Sequence, residues 1–329
     1  ETGDYDKVTS TENITSPSFI SISDDKKFIY SVNENDDDST ISAFRFDDLA
    51  SEITLLNQQA SKGIRPCNII NDDHNVIVAN YESGTIGVFG KGQDGSISAA
   101  KQAVAHHGSG PNDDRQEKAH AHMVGFSPDS KYVFVTDLGT DSISSYRYNP
   151  SEMTDVLVLE NKISLKPASG PRHFEFSPNG KNLYVIHELD GTLTVFDYHE
   201  GQLGKLQETT IAQDGFEGET ASGDIHCSAD GKFVYATNRG DANTISQFSV
   251  ADDGKLKHVE TISIKGDGPR NFAITPNGRF LLIGHENSNE IVFFSRDPQS
   301  GRLSDTNKKI ELCSPVCLKF VVYDQRSKT

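Results

Sequence analysis

The chain has 329 residues, 35% of them hydrophobic, and a formal net charge of −17 at pH 7. That charge argues against non-specific binding to nucleic acid or to an anionic membrane, both of which need clustered positive charge, and no run of about 18 apolar residues offers a membrane span. The apolar fraction is thin for one thick core but suits many small sheets stacked face to face, so 1–329 is expected to form one repeat-built domain.

In chain order, an apolar strand, a polar turn and a second apolar strand recur. The copies are PSFISISDDKKFIYSVNE from Pro17, PCNIINDDHNVIVANYE from Pro66, HAHMVGFSPDSKYVFVTDLG from His120, PRHFEFSPNGKNLYVIHELD from Pro171, DIHCSADGKFVYATNRG from Asp224 and PRNFAITPNGRFLLIGHEN from Pro269, with PVCLKFVVYD from Pro315 as a seventh. Successive starts lie about 45 to 54 residues apart, the spacing of propeller blades. The turns SPDS, SPNG, SADG and TPNG carry residues suited to turn dihedrals. A third, alternating strand follows in each copy (TISAFRF, TIGVF, SISSYRY, TLTVFDY, TISQFSV, EIVFFSR), then a more polar fourth such as EITLLNQQA or KLKHVETISI. Polar outer strands protect an exposed sheet edge. The expected fold is all-β, a seven-bladed β-propeller of four-stranded antiparallel blades.

The seventh copy supplies only a first strand, 315–322, while DYDKVTST over 4–11 reads as a fourth. A closing blade shared by both termini then lacks its second and third strands. Either about 30 residues precede Glu1 or that blade forms only in part. The longest insertion, AHHGSGPNDDRQEKA over 105–119, reads as a loop on one face of the ring, where function concentrates.

Inner strands of a propeller line the central channel. The starts of first strands and the ends of second strands therefore converge at its mouth. Those positions hold His120 and His122, Arg172 and His173, Asp224 and His226, Arg270 and Asn271 on one side of the hairpins, and Asn33 and Glu34, Asn80 and Tyr81, Asp137, His187 and Glu188, Asn238 and Arg239, His285 and Glu286 on the other. Structure alone explains several: Asp137 and Asn33 as turn caps, His187 and His285 as partners of backbone groups, His106 and His107 as solvated loop residues. His120, His122 and His226 could hold a metal, but the H-E-x-x-H spacing is absent and no metal or other cofactor is expected. Arg172 and Arg239 are harder to dismiss, because half-buried guanidinium groups need anionic partners. Glu188 offers part of that charge and a substrate the rest.

Four cysteines are present, Cys67, Cys227, Cys313 and Cys317, all but Cys313 in apolar strand-like segments. Their low density suits a reducing compartment, here the cytoplasm. The Cys313-x3-Cys317 spacing is not that of a usual zinc site.

The motifs HAHMVGFSPDSKYVFVTDLGTD, GPRHFEFSPNGKNLYVIHELDGT, GDIHCSADGKFVYATNRG, GPRNFAITPNGRFLLIGHEN and SPVCLKFV resemble the lactonase family of seven-bladed propellers across essentially the whole chain. That family includes bacterial 6-phosphogluconolactonases and a fungal carboxy-cis,cis-muconate lactonizing enzyme. The resemblance places active-site roles on His122, Arg172, Glu188 and Arg239. His120, His226, Arg270, Asn238 and Glu286 take accessory, substrate-binding places.

It implies hydrolysis of a small anionic sugar lactone, 6-phospho-D-glucono-1,5-lactone, to 6-phosphogluconate in the pentose phosphate pathway. His122 would be the general base on water and the arginines would bind the oxyanion or the phosphate. The absence of a G-x-S-x-G elbow argues against an acyl-enzyme. Two alternatives stand beside this: a muconate-type lactone-forming or lactone-opening enzyme, and a non-enzymatic propeller scaffold.

Overall fold

The computed structural model describes residues 3–12 and 14–323. Among them, strands β1 to β24 form six antiparallel four-stranded sheets: β1–β4 over 20–60, β5–β8 over 66–105, β9–β12 over 121–164, β13–β16 over 171–210, β17–β20 over 222–263 and β21–β24 over 269–311. These are the blades expected from the repeats, each a meander from channel to rim. Second strands such as β6 (Asn75–Asn80) and β14 (Asn182–His187) are buried along their whole length. The rim strands β4 (Glu52–Ala60) and β16 (Gln202–Thr210) alternate exposed with half-buried residues.

Apolar burial lies between neighbouring blades. Ile77, Ile86 and Val88 of the second pack on Val124, Val133 and Tyr146 of the third. Tyr184, Ile186 and Val195 of the fourth pack on Ile225, Val234 and Phe248 of the fifth. A tyrosine latch recurs: Tyr30, Tyr184 and Tyr235 each donate to a glycine carbonyl of the following blade, that of Gly95, Gly254 and Gly301. Those glycines have positive φ, and a Cβ at Gly95 would collide with the ring of Phe28.

The first hairpin of every blade but the second repeats one turn. Ser127 Oγ donates to Asp129 Oδ1 at 2.6 Å and accepts from the Tyr132 amide, and Ser177–Asn179–Asn182 and Ser228–Asp230–Phe233 do the same. Near the channel mouth the inner ladders carry irregularities, at Pro171–Phe174 between β13 (Pro171–Phe176) and β14, and at Ser222–Ile225 between β17 (Ser222–Cys227) and β18 (Phe233–Asn238). Bulges of this kind re-aim side chains. Here they take Arg172, His173 and Asp224 out of the regular ladder.

The closing blade differs from expectation. Neither 4–11 nor 315–322 is a strand. A strand needs a hydrogen-bonded neighbour, and the second and third strands that would join these segments have no counterpart in the 329 residues. The segment still runs between the sixth blade and the first. Its Leu318 amide donates to Asn271 Oδ1 at 2.6 Å, and Lys26 Nζ donates to the Val322 carbonyl at 2.6 Å. Tyr5 stacks on Phe293 of the sixth blade with ring centroids 6.2 Å apart. Cys317 therefore lies in irregular chain rather than in a strand.

Candidate active site

One register position of the inner strands, four residues before Phe126, Phe176, Cys227 and Ile274, carries His122, Arg172, Gly223 and Arg270. The residue just after each second strand carries Glu34, Tyr81, Leu138, Glu188, Arg239 and Glu286. The two rings meet at the channel mouth, and Glu188 is where their charges converge. Its Oε2 accepts from Arg172 Nε at 2.8 Å and lies 3.1 Å from Arg239 Nη2. Its Oε1 accepts from Arg115 Nη2 at 2.6 Å. His122 Nε2 stands 3.8 Å from Oε2, outside hydrogen-bond range.

The four residues assigned catalytic roles from the sequence are thus brought together. Arg172 is 1% exposed. Its guanidinium also donates to the Gly223 carbonyl of the next blade, and its own carbonyl accepts from Thr136 Oγ1 at 2.6 Å. Arg239 Nε and Nη2 donate to the carbonyls of Ala221 and Ser222. Both arginines are therefore held by protein groups as well as by Glu188.

Burial disfavours the Glu188 carboxylate, but the charges of Arg239, Arg172, His122 and Arg115 outweigh it and hold the carboxyl well below its usual range. His122 moves well below the ordinary histidine value, chiefly through burial, then through the positive charge of Arg172. It is a neutral imidazole at pH 7, and its buried Nδ1 has no hydrogen-bond partner among the described residues. Tyr81 presents its ring edge to His122 at 5.5 Å and stacks flat on His120 at 4.4 Å.

The accessory positions divide. His120 braces the mouth rather than facing it: Nδ1 pairs with the Tyr81 carbonyl at 3.1 Å and Nε2 with Glu117 Oε2 at 3.2 Å. Arg270 lies between Glu286 (3.5 Å) and Glu34 (3.8 Å). These three line a cavity of about 610 Å³ beside the 312–323 segment, off the Glu188 centre. Asn238 does not join the site, because its Oδ1 accepts from the Ala221 amide at 3.0 Å inside the blade.

His226 is also placed elsewhere, deeper along β17. Its Nδ1 pairs with Glu175 Oε2 at 2.5 Å and its Nε2 with Asp224 Oδ2 at 2.9 Å. His173 Nδ1 pairs with Asp224 Oδ1 at 2.7 Å, and its ring meets that of His122 edge-on at 5.3 Å. Burial pulls against a charged His226, but Asp224 and Glu175 push it up to about 10. His173 is driven down to about 4 by burial and by Arg172.

His106 corrects the sequence reading. It is buried, with Nδ1 2.7 Å from Asp137 Oδ2 and Nε2 2.7 Å from Tyr146 Oη, whereas His107 is exposed. Asp137 caps its turn as expected, accepting from the Thr140 amide at 3.1 Å, and also receives the His120 amide at 2.9 Å. His187 is satisfied by Ser169 and Thr194 hydroxyls rather than by backbone. His285 is buried, and neither ring nitrogen has a hydrogen-bond partner among the described residues.

A residue that the structure brings to Glu188 and that the sequence reading did not single out is Arg115. Its signal was present: it is the only arginine in the long insertion over 105–119. Among the described residues no group of three or more His, Cys, Asp or Glu side chains is arranged to hold a metal ion. Among the described residues no helix is long and apolar enough to cross a membrane.

The sequence family described as Lactonase, 7-bladed beta-propeller, matches residues 1–320. A 6-phosphogluconolactonase of Bacillus subtilis is 34% identical over 310 residues, 93% of this chain and 87% of that protein. The solved structure of a Bacteroides fragilis protein, described as a candidate 6-phosphogluconolactonase, superposes with a TM-score of 0.91 at 40% identity, covering 95% of this chain and 89% of that one. The periplasmic gluconolactonase of Pseudomonas aeruginosa superposes with a TM-score of 0.88 at 34% identity, covering 93% and 88%. The chain belongs to the lactonase family of seven-bladed β-propellers.

Proposed function

We propose that this protein hydrolyses a sugar lactone, 6-phospho-D-glucono-1,5-lactone, to the open-chain acid, with His122 as general base. The observation that carries the mechanism is a neutral imidazole, His122, set 3.8 Å from a carboxylate that is itself ringed by three arginines. A base must be unprotonated before it can act, and burial beside Arg172 keeps it so.

His122 takes a proton from water as the water oxygen bonds to the lactone carbonyl carbon. The carbonyl electron pair moves onto oxygen, and the positive charge of Arg172 and Arg239 stabilises that oxyanion. When the tetrahedral centre collapses, the ring carbon–oxygen bond breaks and His122 returns its proton to the departing alkoxide. Glu188 fixes the arginines and steadies the imidazolium that forms between the two steps. No covalent enzyme intermediate is needed, because the lactone carbon is already an acyl electrophile.

The charge of the pocket supports an anionic substrate in a chain that is strongly acidic overall. A second reading, an unphosphorylated gluconolactone, is favoured by the likeness to the Pseudomonas gluconolactonase and by the way protein groups occupy Arg172 and Arg239. A lactone panel read by acid release separates them. Turnover of the phosphorylated lactone, unaltered by EDTA, is expected. Turnover confined to gluconolactone or to a muconolactone would replace the substrate. No turnover on any lactone would return the fold to a binding scaffold.

A further inference from the structure

Arg115 stands apart from the other arginines of the mouth. Arg172 is withdrawn from solvent and Arg239 is tied to two carbonyls, whereas the Arg115 side chain is 41% exposed. Only its Nη2 is engaged, by Glu188 Oε1 at 2.6 Å and by Tyr81 Oη at 3.2 Å. Its Nε and Nη1 have no hydrogen-bond partner among the described residues. One edge of the guanidinium is thus anchored and the rest is presented to the mouth.

The loop that carries it is braced at both ends. His106 is locked between Asp137 and Tyr146. Gln116, fully buried, donates to the Leu138 carbonyl at 2.8 Å and accepts from the Asn112 amide at 3.1 Å. Glu117 holds His120. The Arg115 amide itself donates to Asn112 Oδ1 at 3.1 Å. A planar fork of donors, pre-positioned on an ordered loop, suits a tetrahedral oxyanion such as phosphate.

We propose that Arg115 is a specificity-determining residue that receives the phosphate of the substrate, while Arg172 and Arg239 hold Glu188 and the reacting carbonyl. This rests on the lactonase reading above and adds the residue that selects a phosphorylated lactone over its unphosphorylated counterpart. It also assigns the insertion over 105–119 a function, as the arm that carries the phosphate ligand to the channel mouth.

The test compares wild type, Arg115→Gln and Arg115→Lys on 6-phosphogluconolactone and on gluconolactone, with a calorimetric titration of inorganic phosphate. Arg115→Gln is expected to lower the ratio of kcat/KM for the phosphorylated over the plain lactone at least tenfold, through KM, and to weaken phosphate binding at least tenfold. Arg115→Lys should restore part of both. A change by the same factor on both lactones would show that Arg115 merely holds Glu188 or the loop and would overturn the proposal, as would phosphate binding by Arg115→Gln equal to that of wild type. If wild type turns over neither lactone, the lactonase reading fails while the titration still decides the role of Arg115.

Discussion

Arg172 Nε donates to Glu188 Oε2 at 2.8 Å, and both side chains are almost wholly withdrawn from water. The two come from neighbouring strands of one blade, yet Glu188 also collects Arg239 from the next blade and Arg115 from an earlier loop. A single carboxylate therefore fixes the geometry of three cations. Removing one partner of such a buried pair leaves the other charge uncompensated, which costs about 3–5 kcal/mol.

Glu188→Gln is accordingly expected to destabilise the fold by about that amount and to abolish turnover. Chemical denaturation of Glu188→Gln, Arg172→Met and the double variant checks the origin. The double variant should lose less than the sum of the singles, because each single strands a charge that the double removes. Strict additivity would mean that the two side chains are not energetically coupled.

The pH dependence of turnover follows from His122. Its pKa lies well below the usual histidine value, so kcat/KM should stay level from about pH 6.5 upward through neutrality and fall only at lower pH. Arg172 is the largest charge acting to lower that pKa. Replacing it with Met should move the acid limb to higher pH. A limb unmoved in Arg172→Met would place the titrating group elsewhere.

Stability against pH reports on the deeper network. The folded-state pKa of His226, about 10, lies above its unfolded value. Its contribution is therefore complete below the ordinary histidine pKa of about 6.5 and declines as pH rises toward 10. Melting curves from pH 6.5 to 10 should show a fall in Tm that is shallower in His226→Gln. Parallel curves for the two proteins would remove His226 as the source.

Thiol reactivity should sort the cysteines by place. Cys67 and Cys227 are raised by burial and Cys317 likewise, whereas Cys313 is exposed. Native protein should react rapidly at one thiol with an aromatic disulfide reagent, and Cys313→Ser should abolish that phase while denaturation releases the rest. Rapid reaction at Cys67 would contradict its packing, in which the thiol faces the His122 carbonyl at 3.1 Å.

The sequence made much of this site legible because a repeat carries its own register. Aligning Phe126 with Phe176 puts His122 level with Arg172, and the strand-to-strand pairing then brings Glu188 and Arg239 to the same height. His226 was misplaced because it lies four residues beyond the start of its strand, below that level and against Glu175. Asn238 occupies a mouth position by count, but its side chain turns back to the Ala221 amide. Arg115 has no counterpart in other blades, so no register argument reaches it. His106 read as solvated because burial of a loop residue depends on partners, Asp137 and Tyr146, that lie 31 and 40 residues away. The closing blade was misread at both ends for a related reason: 4–11 and 315–322 have strand-like composition but no ladder to join.

The most direct measurement is the rate of 6-phosphogluconolactone hydrolysis, above the spontaneous rate, by wild type and His122→Ala of matching circular dichroism and Tm. General-base catalysis predicts turnover by wild type and a loss of about 10² to 10⁴ in kcat in the variant. Turnover by a well-folded His122→Ala equal to that of wild type would contradict it.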